Sequence, residues 1–324
     1  MIPAPFPENE SKRLASIQAL NILDTPAEER FDRVTRIARR MFDVPFSVVT
    51  VVDANRQWFK SCIGIDVQET PREISFCAHA ILNNEIMVIE DTFQDPRFVD
   101  NPLVSEEPHV RFYAGRPLKL PSIGGEDAGY LGTLCILDSK PRQMSADDLE
   151  LLDDLASMVE SELSAHYAAT TDDLTLISNR RGFQILGQKA LNYCQRYQHQ
   201  ACLAFIDLND FKPINDTYGH GEGDKALVQF AEMLLNCSRD SDIVARLGGD
   251  EFVMLLMNTD VDGAESVMAN IQKQLESYNQ ASDKGYELHF SCGLVEFDQH
   301  KDIDALLEDG DSLMYQCKQE NINR

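Results

Sequence analysis

The chain has 324 residues, 54 of them acidic and 29 basic, for a formal net charge of -25. That charge repels nucleic acid and anionic membrane surfaces, so neither is expected as a partner; nucleotides, held by a few local cations and a metal, stay open. A hydrophobic content of 43% and a charged content of 26% are ordinary for globular protein, and the length suggests two domains. In chain order, the first half reads as two helices followed by strands. Thr25-Pro26-Ala27-Glu28 has the form of a helix start, with Thr25 as N-cap, Pro26 at the first position and Glu28 at the third. Phe31, Val34, Ile37, Ala38 and Met41 then repeat at the helical period. Strands are expected over Pro45 to Val52, Gln57 to Ile63, Glu85 to Glu90, Val110 to Leu118 and Tyr130 to Leu137, with a short helix over Phe76 to Leu82. Together they make an antiparallel sheet, with a glycine-bearing loop over Pro121 to Gly129. A helix opens at Ser145 and repeats Leu152, Leu155, Val159 and Leu163, opposite an acidic face of Asp153, Asp154, Glu160 and Glu162. That stripe suits either packing on the first domain or a short parallel coiled coil between two copies.

The domain boundary falls near Ala168 to Thr171. Beyond it, helices are expected over Asn179 to Arg196, Lys225 to Leu235, Ala264 to Tyr278 and Asp304 to Lys318. Strands are expected over Ala201 to Leu208, Ile243 to Leu247, Glu251 to Met257 and Leu288 to Glu296. This mixture makes the second half an α/β sandwich with helices packed on one sheet. The longest apolar run near the start is strand-sized, and the N-terminus lacks the basic-then-apolar pattern of a signal peptide. The eight cysteines are scattered and form no CxxC pair. A cytoplasmic protein with reduced thiols and no structural zinc is expected.

Two strand ends concentrate acidic groups. The apolar run Ala201 to Ile206 leads into Asp207-Leu208-Asn209-Asp210, where a buried strand would hold a carboxylate rigidly enough to ligate a hard metal. Asp207 and Asn209 share one face by the strand period. Arg246-Leu247-Gly248-Gly249-Asp250-Glu251-Phe252 places two acids directly after a Gly-Gly hairpin turn, which is costly unless cations or hydrogen bonds compensate. Gly219-His220-Gly221-Glu222-Gly223-Asp224 has neither dinucleotide-binding nor P-loop spacing.

These segments resemble the GGDEF diguanylate cyclase family, in order, from about residue 170 to the end. The matching segments are Asp173-Leu174-Thr175 to Asn179-Arg180-Arg181, Asp207 to His220 with Gly223-Asp224, Gly248 to Phe252, Phe290-Ser291-Cys292-Gly293 and Tyr315 to Lys318. Arg239 and Asp242 are followed by five residues and then Gly248, the spacing of the family's RxxD inhibitory site. The resemblance implies condensation of two GTP into cyclic di-GMP with release of pyrophosphate. It implies Mg²⁺ or Mn²⁺ at Asp207, the Leu208 carbonyl, Asp250 and Glu251, with Asp207, Asp250 and Glu251 as the catalytic carboxylates. By the same resemblance Asn215 and Asp224 read guanine, Lys212 and Lys318 neutralise phosphates, and Gly248 and Gly249 admit the substrate. Arg239 and Asp242 bind the product as inhibitor. Each half-site holds one GTP, so a homodimer is implied, and that requirement favours the coiled coil over Leu152 to Leu163.

Three departures from the pattern bear on activity. Asn209 stands where the family has a second Asp, Leu176-Ile177 where it has Gly-Leu, and Asn321-Ile322-Asn323-Arg324 where it has Gly-Arg-Asn-Arg. The alternative reading is a weak or inactive module that serves as a GTP or cyclic di-GMP receptor. No hydrolysis of the product is expected. Residues 20–165 resemble a GAF domain, through Phe46 to Asp53, Arg56 to Ser61, Ile74 to Ile81, Phe112 to Leu118 and Gly132 to Cys135. Cys77-x-His79 is read as a packed helix with a buried cysteine rather than a tetrapyrrole or metal site, and an unidentified GAF ligand is left open. The expected plan is an N-terminal helical segment over 1–20, a GAF-like sensory domain over 21–144, a helical signalling linker over 145–169 and a GGDEF domain over 170–324.

Overall fold

A six-stranded sheet covered by helices builds the first unit of the computed structural model, Met1–Tyr167, and a five-stranded one the second, Ala168–Arg324. The structure describes residues 1–119, 129–239, 241–281, 284–297 and 302–322, with side chains up to 319. Apart from Gly129, the loop expected over Pro121 to Gly129 lies outside these residues, as does Asp240 within the Arg239–Asp242 pair.

Helices α1 (Glu10–Ala19) and α2 (Glu29–Met41) precede strands β1 (Phe46–Val52), β2 (Arg56–Ile63) and β3 (Glu69–Pro71). Then come α3 (Phe76–Ala80), β4 (Met87–Ile89), the single-turn α4 (Pro102–Ser105), β5 (Phe112–Lys119), β6 (Tyr130–Asp138) and α5 (Ala146–Thr170). The sheet order is β3-β2-β1-β6-β5-β4, antiparallel throughout. Alternation along the strands divides the core in two. Val49, Val51, Phe112, Ala114, Leu134 and Ile136 face the side covered by α1, α2 and α5, while Val48, Val52, Tyr113, Cys135 and Leu137 face α3 and α4.

Two expectations are corrected here. Thr25 is not an N-cap: α2 starts at Glu29, and the Thr25 hydroxyl donates to the Ile22 carbonyl. It also accepts from Lys60 Nζ at 2.6 Å, and Lys60 further donates to the Pro26 carbonyl and pairs with Glu28. The Thr25-Pro26 turn thus wraps a buried ammonium, and this outweighs the local capping pattern. The stripe Leu152, Leu155, Val159 and Leu163 is not a coiled-coil seam. All four residues are buried, with Ala156, in the core beneath the sheet of their own unit, so the apolar surface a partner helix would need is already used. The acidic face is engaged as well, since Arg116 pairs with both Asp153 and Glu160.

The second unit contains β7 (Ser178–Asn179), α6 (Arg180–Tyr197), β8 (Ala201–Leu208), α7 (Phe211–Tyr218) and α8 (His220–Cys237). It continues with β9 (Ile243–Gly248), β10 (Glu251–Met257), α9 (Val261–Ala281), β11 (Phe290–Glu296) and α10 (Ile303–Ile322). The sheet order is β11-β8-β10-β9-β7, antiparallel except where β7 meets β9. Every residue of β8 is buried because β8 is flanked by strands and covered on both faces. Cys202, Ala204, Ile206, Phe252 and Met254 face α7, α8 and α9, whereas Leu203, Phe205, Val253 and Leu255 face α6 and α10. The turn-rich stretch after β8 is a pair of helices, α7 and α8, hinged at Gly219 with φ +84°. Helix α7 was not expected from the sequence.

Gly293 fixes how closely α10 approaches β11. A Cβ there would collide with the Met314 amide nitrogen and the Gly310 carbonyl, and a Cβ on Gly310 would lie 3.0 Å from that of Phe205. The two glycines let helix backbone rest on strand backbone. Gly293→Ala is therefore expected to overpack the contact and cost about 2 kcal/mol, read as a lower denaturation midpoint for the C-terminal unit.

Candidate active site

The register of three neighbouring strands assembles the site. In β8, Asp207 lies opposite Glu251 of β10 on one side and opposite Ser291 of β11 on the other. Residue 207 falls on the odd-numbered face of β8, towards α6 and α10, and each helix supplies a cation. Lys318 Nζ of α10 lies 2.5 Å from Asp207 Oδ1, and Arg180 Nη2 of α6 lies 3.6 Å from Glu251 Oε2. The Leu208 amide donates to the Asp250 carbonyl at 3.1 Å, which ties the end of β8 to the turn before β10.

The turn itself needs glycine for its backbone. Gly248 has φ +150° and Gly249 φ +53°, and a Cβ on either would meet nothing within 4 Å. The two glycines are thus a conformational requirement, and they leave open space above the chain. Arg246 clamps the turn: its Nε and Nη2 donate to the Gly249 carbonyl at 3.0 and 2.8 Å, and its Nη1 reaches both Asp172 oxygens at 3.0 and 3.2 Å.

Electrostatics set this cluster apart. Burial raises the proton affinity of Asp207 above the ordinary carboxylate range. Lys318 opposes the shift, and the charges of Asp250 and Asp311 add to it. Glu251 is raised as well, first by burial, against the pull of Arg180, with Asp311, Asp207 and Asp250 adding repulsion. The unit's other perturbed carboxylates move the opposite way: hydrogen bonds from Thr175 and Arg246 outweigh burial at Asp172, and Lys225, Lys284 and Tyr286 hold Glu222 at about 2. Desolvated, mutually repelling hard oxygen donors are the chemistry that a divalent cation compensates. Among the described residues, no three His, Cys, Asp or Glu side chains close into a ready-made metal cage.

The remaining sequence-designated residues fall into two further places. Asn215 sits half-buried on α7, its Oδ1 lying where a Cβ on Gly223 would fall, and Asp224 follows exposed on α8. Gly223 therefore lets the two helices close around Asn215, and Lys212 is exposed on α7 nearby in sequence. Arg239 and Asp242 lie just before β9. Asp242 Oδ2 accepts from the Arg239 amide and Oδ1 from the Met257 amide, both at 2.9 Å. Among the described residues the exposed Arg239 guanidinium has no acidic partner. Lys318 is not an open phosphate-binding cation, because it is paired with Asp207. Asn209 Oδ1 accepts from Ser291 Oγ at 2.9 Å, so the departure from Asp joins a neutral hydrogen bond rather than adding a charge. The side chains of Asn321 to Arg324 lie outside the described residues.

Arg180, Arg246, Asp172 and Asp311 belong to the site and were not singled out as site residues. Arg180 and Arg246 stood inside quoted motifs, but their partners, 71 and 74 residues away in sequence, are brought in only by the fold. In the first unit, Cys77 and His79 are packed as expected. His79 Nε2 lies 3.0 Å from the Ile2 carbonyl, and its ring meets Phe98 edge-on.

Both raised carboxylates bind their proton more tightly folded than unfolded. They therefore favour the folded state below the unfolded carboxylate range, and that benefit is lost as pH rises through their folded ionisation. Glu251→Gln removes one of these charges. It is expected to raise the thermal midpoint of the metal-free chain at neutral pH by no more than about 2 °C, because the site is partly exposed. Scanning fluorimetry should show the gain vanish as pH falls into the ordinary carboxylate range.

Comparison with known proteins agrees with this geometry. The family model for the diguanylate cyclase GGDEF domain matches residues 169–324, and that for the GAF domain matches residues 26–163. The cyclic di-GMP phosphodiesterase PA2567 of Pseudomonas aeruginosa is 37% identical over 188 residues, covering 57% of this chain and 31% of that protein. The diguanylate cyclase DgcP of Escherichia coli is 30% identical over 227 residues, covering 64% of each. The chain thus spans less than two thirds of the length of these relatives. The solved coiled coil and GGDEF domain of DgcB from Caulobacter crescentus, in complex with c-di-GMP, aligns with a TM-score of 0.50 at 23% identity. It covers 54% of this chain and 96% of that one, a likeness of fold. No helix among the described residues is long and apolar enough to cross a membrane. The chain carries a GGDEF domain over residues 169–324, with a GAF domain ahead of it over residues 26–163.

Proposed function

We propose that the C-terminal unit condenses two GTP into cyclic di-GMP. The 3′-hydroxyl of one GTP attacks the α-phosphate of the other, pyrophosphate leaves, and the reciprocal attack closes the ring. The observation that carries this reading is the desolvated carboxylate group of Asp207 and Glu251, side by side across β8 and β10 with Asp250 in the adjoining turn. Asp207, Asp250, Glu251 and the Leu208 carbonyl would hold Mg²⁺ or Mn²⁺, which supplies charge neutralisation at the reacting phosphate and activates the attacking hydroxyl. The protein's own part is positioning. The open backbone at Gly248 and Gly249 lets phosphates approach, and Arg246 holds the Gly249 carbonyl so that the turn keeps its shape. Asn215 and Asp224, at the α7–α8 elbow, would accept and donate along the guanine edge, and the exposed Lys212 of α7 would add a cation.

Lys318 pairs with Asp207 and would turn to phosphate once a metal cation was held by the carboxylates. Each chain carries one such half-site, so two copies must face each other across the substrates. Their contact does not use the Leu152 to Leu163 stripe. Product inhibition would run through the exposed Arg239, with Asp242 holding its loop, and the GAF domain would set the level of activity. Localisation in the cytoplasm, where GTP is available, belongs to the same proposal.

A second reading is favoured by two features beside the carboxylates, the departure at Asn209 and the pairing of Lys318. Asn209 is neutral and Lys318 pairs with Asp207, so the charge of the cluster is partly compensated by the chain itself. In that case the unit binds GTP or cyclic di-GMP without turnover. One assay separates the readings: the full chain with GTP and Mg²⁺, monitored for pyrophosphate and for the cyclic product. Turnover is expected, and Asp250→Ala should lower it by roughly a thousandfold. Binding without turnover would support the receptor. Arg239→Ala is expected to leave turnover in place while relieving inhibition by added cyclic di-GMP, seen as a shift of the inhibition curve to at least about tenfold higher product.

A further inference from the structure

Behind the sheet of the first unit, on the face covered by α3 and α4, lies a cavity of about 170 Å³. Its walls are largely apolar and include Val48, Phe59, Phe76 and Leu137. Two of its lining residues are Cys77 on α3 and Cys135 on β6, both buried, with their sulfurs 3.8 Å apart. Cys77 is not surrounded as an inert core thiol would be. Thr133 Oγ1 donates to its sulfur at 3.0 Å and the Tyr113 hydroxyl at 3.4 Å, and Thr50 Oγ1 lies 3.3 Å from Thr133 Oγ1 behind them. Gly115 makes this possible, since any Cβ there would strike the Tyr113 hydroxyl. Donors aimed at a sulfur stabilise its anion. We propose that Cys77 and Cys135 form a dithiol site that reduces small organic hydroperoxides admitted to the apolar cavity, closing to a disulfide.

The chemistry balances within the site. The Cys77 sulfur attacks the terminal oxygen of the hydroperoxide, the O–O bond breaks, and the alkoxide leaves as an alcohol with the proton from the Cys77 thiol. Cys77 is then a sulfenic acid. The Cys135 sulfur attacks it, the S–O bond breaks, and hydroxide leaves as water with the Cys135 proton. Two thiols are oxidised by two electrons in all, and one peroxide is reduced to alcohol and water. A disulfide bond is about 2.05 Å, so the sulfurs, 3.8 Å apart, need to close by roughly 1.8 Å. The charges agree with this order of events. Burial pushes the Cys77 thiol up, but its hydrogen bonds with Cys135, Thr133, Tyr113 and Thr50 outweigh it and hold it below its usual value. The contact with an ionised Cys77 and burial push Cys135 well above its usual value, so it stays a thiol until it attacks.

The test uses the reduced full chain and tert-butyl hydroperoxide, followed by alkylation of the remaining thiols in denaturant and peptide mass spectrometry. A Cys77–Cys135 disulfide is expected, with one tert-butanol formed for each pair of thiols lost. Cys77 should react about tenfold faster than the exposed Cys317, against the usual inertness of buried thiols. Hydrogen peroxide should react more slowly than the organic hydroperoxide. Cys135→Ser should stop at a sulfenic acid on Cys77 that dimedone captures, and Cys77→Ser should leave Cys135 reduced. Oxidation confined to Cys317, or equal rates with the two peroxides, would overturn the proposal. The wild-type measurement needs no variant to fold, and the cyclase assay plays no part in it.

Discussion

Carboxylates forced together at the ends of neighbouring strands are the constraint around which the C-terminal unit is organised. The pairing of β8 with β10 sets Asp207 against Glu251, and the pairing of β8 with β11 sets it beside Ser291. Neither acid can escape, because the strands behind them are buried on both faces. Repulsion and desolvation would favour fraying here, so the surrounding elements supply compensation. Helix α10 brings Lys318, α6 brings Arg180, and Arg246 fastens the intervening turn to Asp172. That α10 reaches Asp207 at all depends on Gly293 and Gly310, which let helix backbone lie on strand backbone. A cluster costly to hold and still held is a sign of function, because packing alone would have been served by apolar residues.

Much of this was legible in the sequence. Strands β8 and β10 match their expected bounds, because a run such as Ala201 to Ile206 admits little but a buried strand. The pairing of Asp207 with the Gly248 to Phe252 turn was implied by motif. What the sequence could not carry was the counter-charge. Arg180 and Lys318 meet their acids across 71 and 111 residues, and no local period encodes those distances. Helix α7 was missed for a related reason, since Phe211 to Tyr218 is short and contains Pro213, and its pairing with α8 through Gly223 is tertiary.

In the first unit the failures are equally physical. The Thr25 to Glu28 pattern satisfies every local rule for a helix start, yet the buried ammonium of Lys60 needs those same oxygens and takes them. Helix α5 carries a stripe that a coiled coil and a domain surface would both use, and periodicity alone does not choose between them. The choice is made by the sheet, whose residues Leu134 and Ile136 present an apolar face that α5 covers. The same strand, one residue between them, turns Cys135 to the opposite side. A single strand thus serves two separate cores, which is how a small thiol comes to stand over a cavity while its neighbours anchor a long helix.

The pairing of Lys318 with Asp207 has a consequence for selectivity. A metal cation bound there as proposed would exchange with the monovalent ammonium of Lys318. Swapping one positive charge for another gains little Coulomb energy and forfeits a short, well-placed hydrogen bond. On the proposed reading, sodium and potassium would meet a threshold that a doubly charged ion clears, and the displaced lysine would carry its charge to an anion bound alongside. The lysine would then act as a valence filter built from a single side chain.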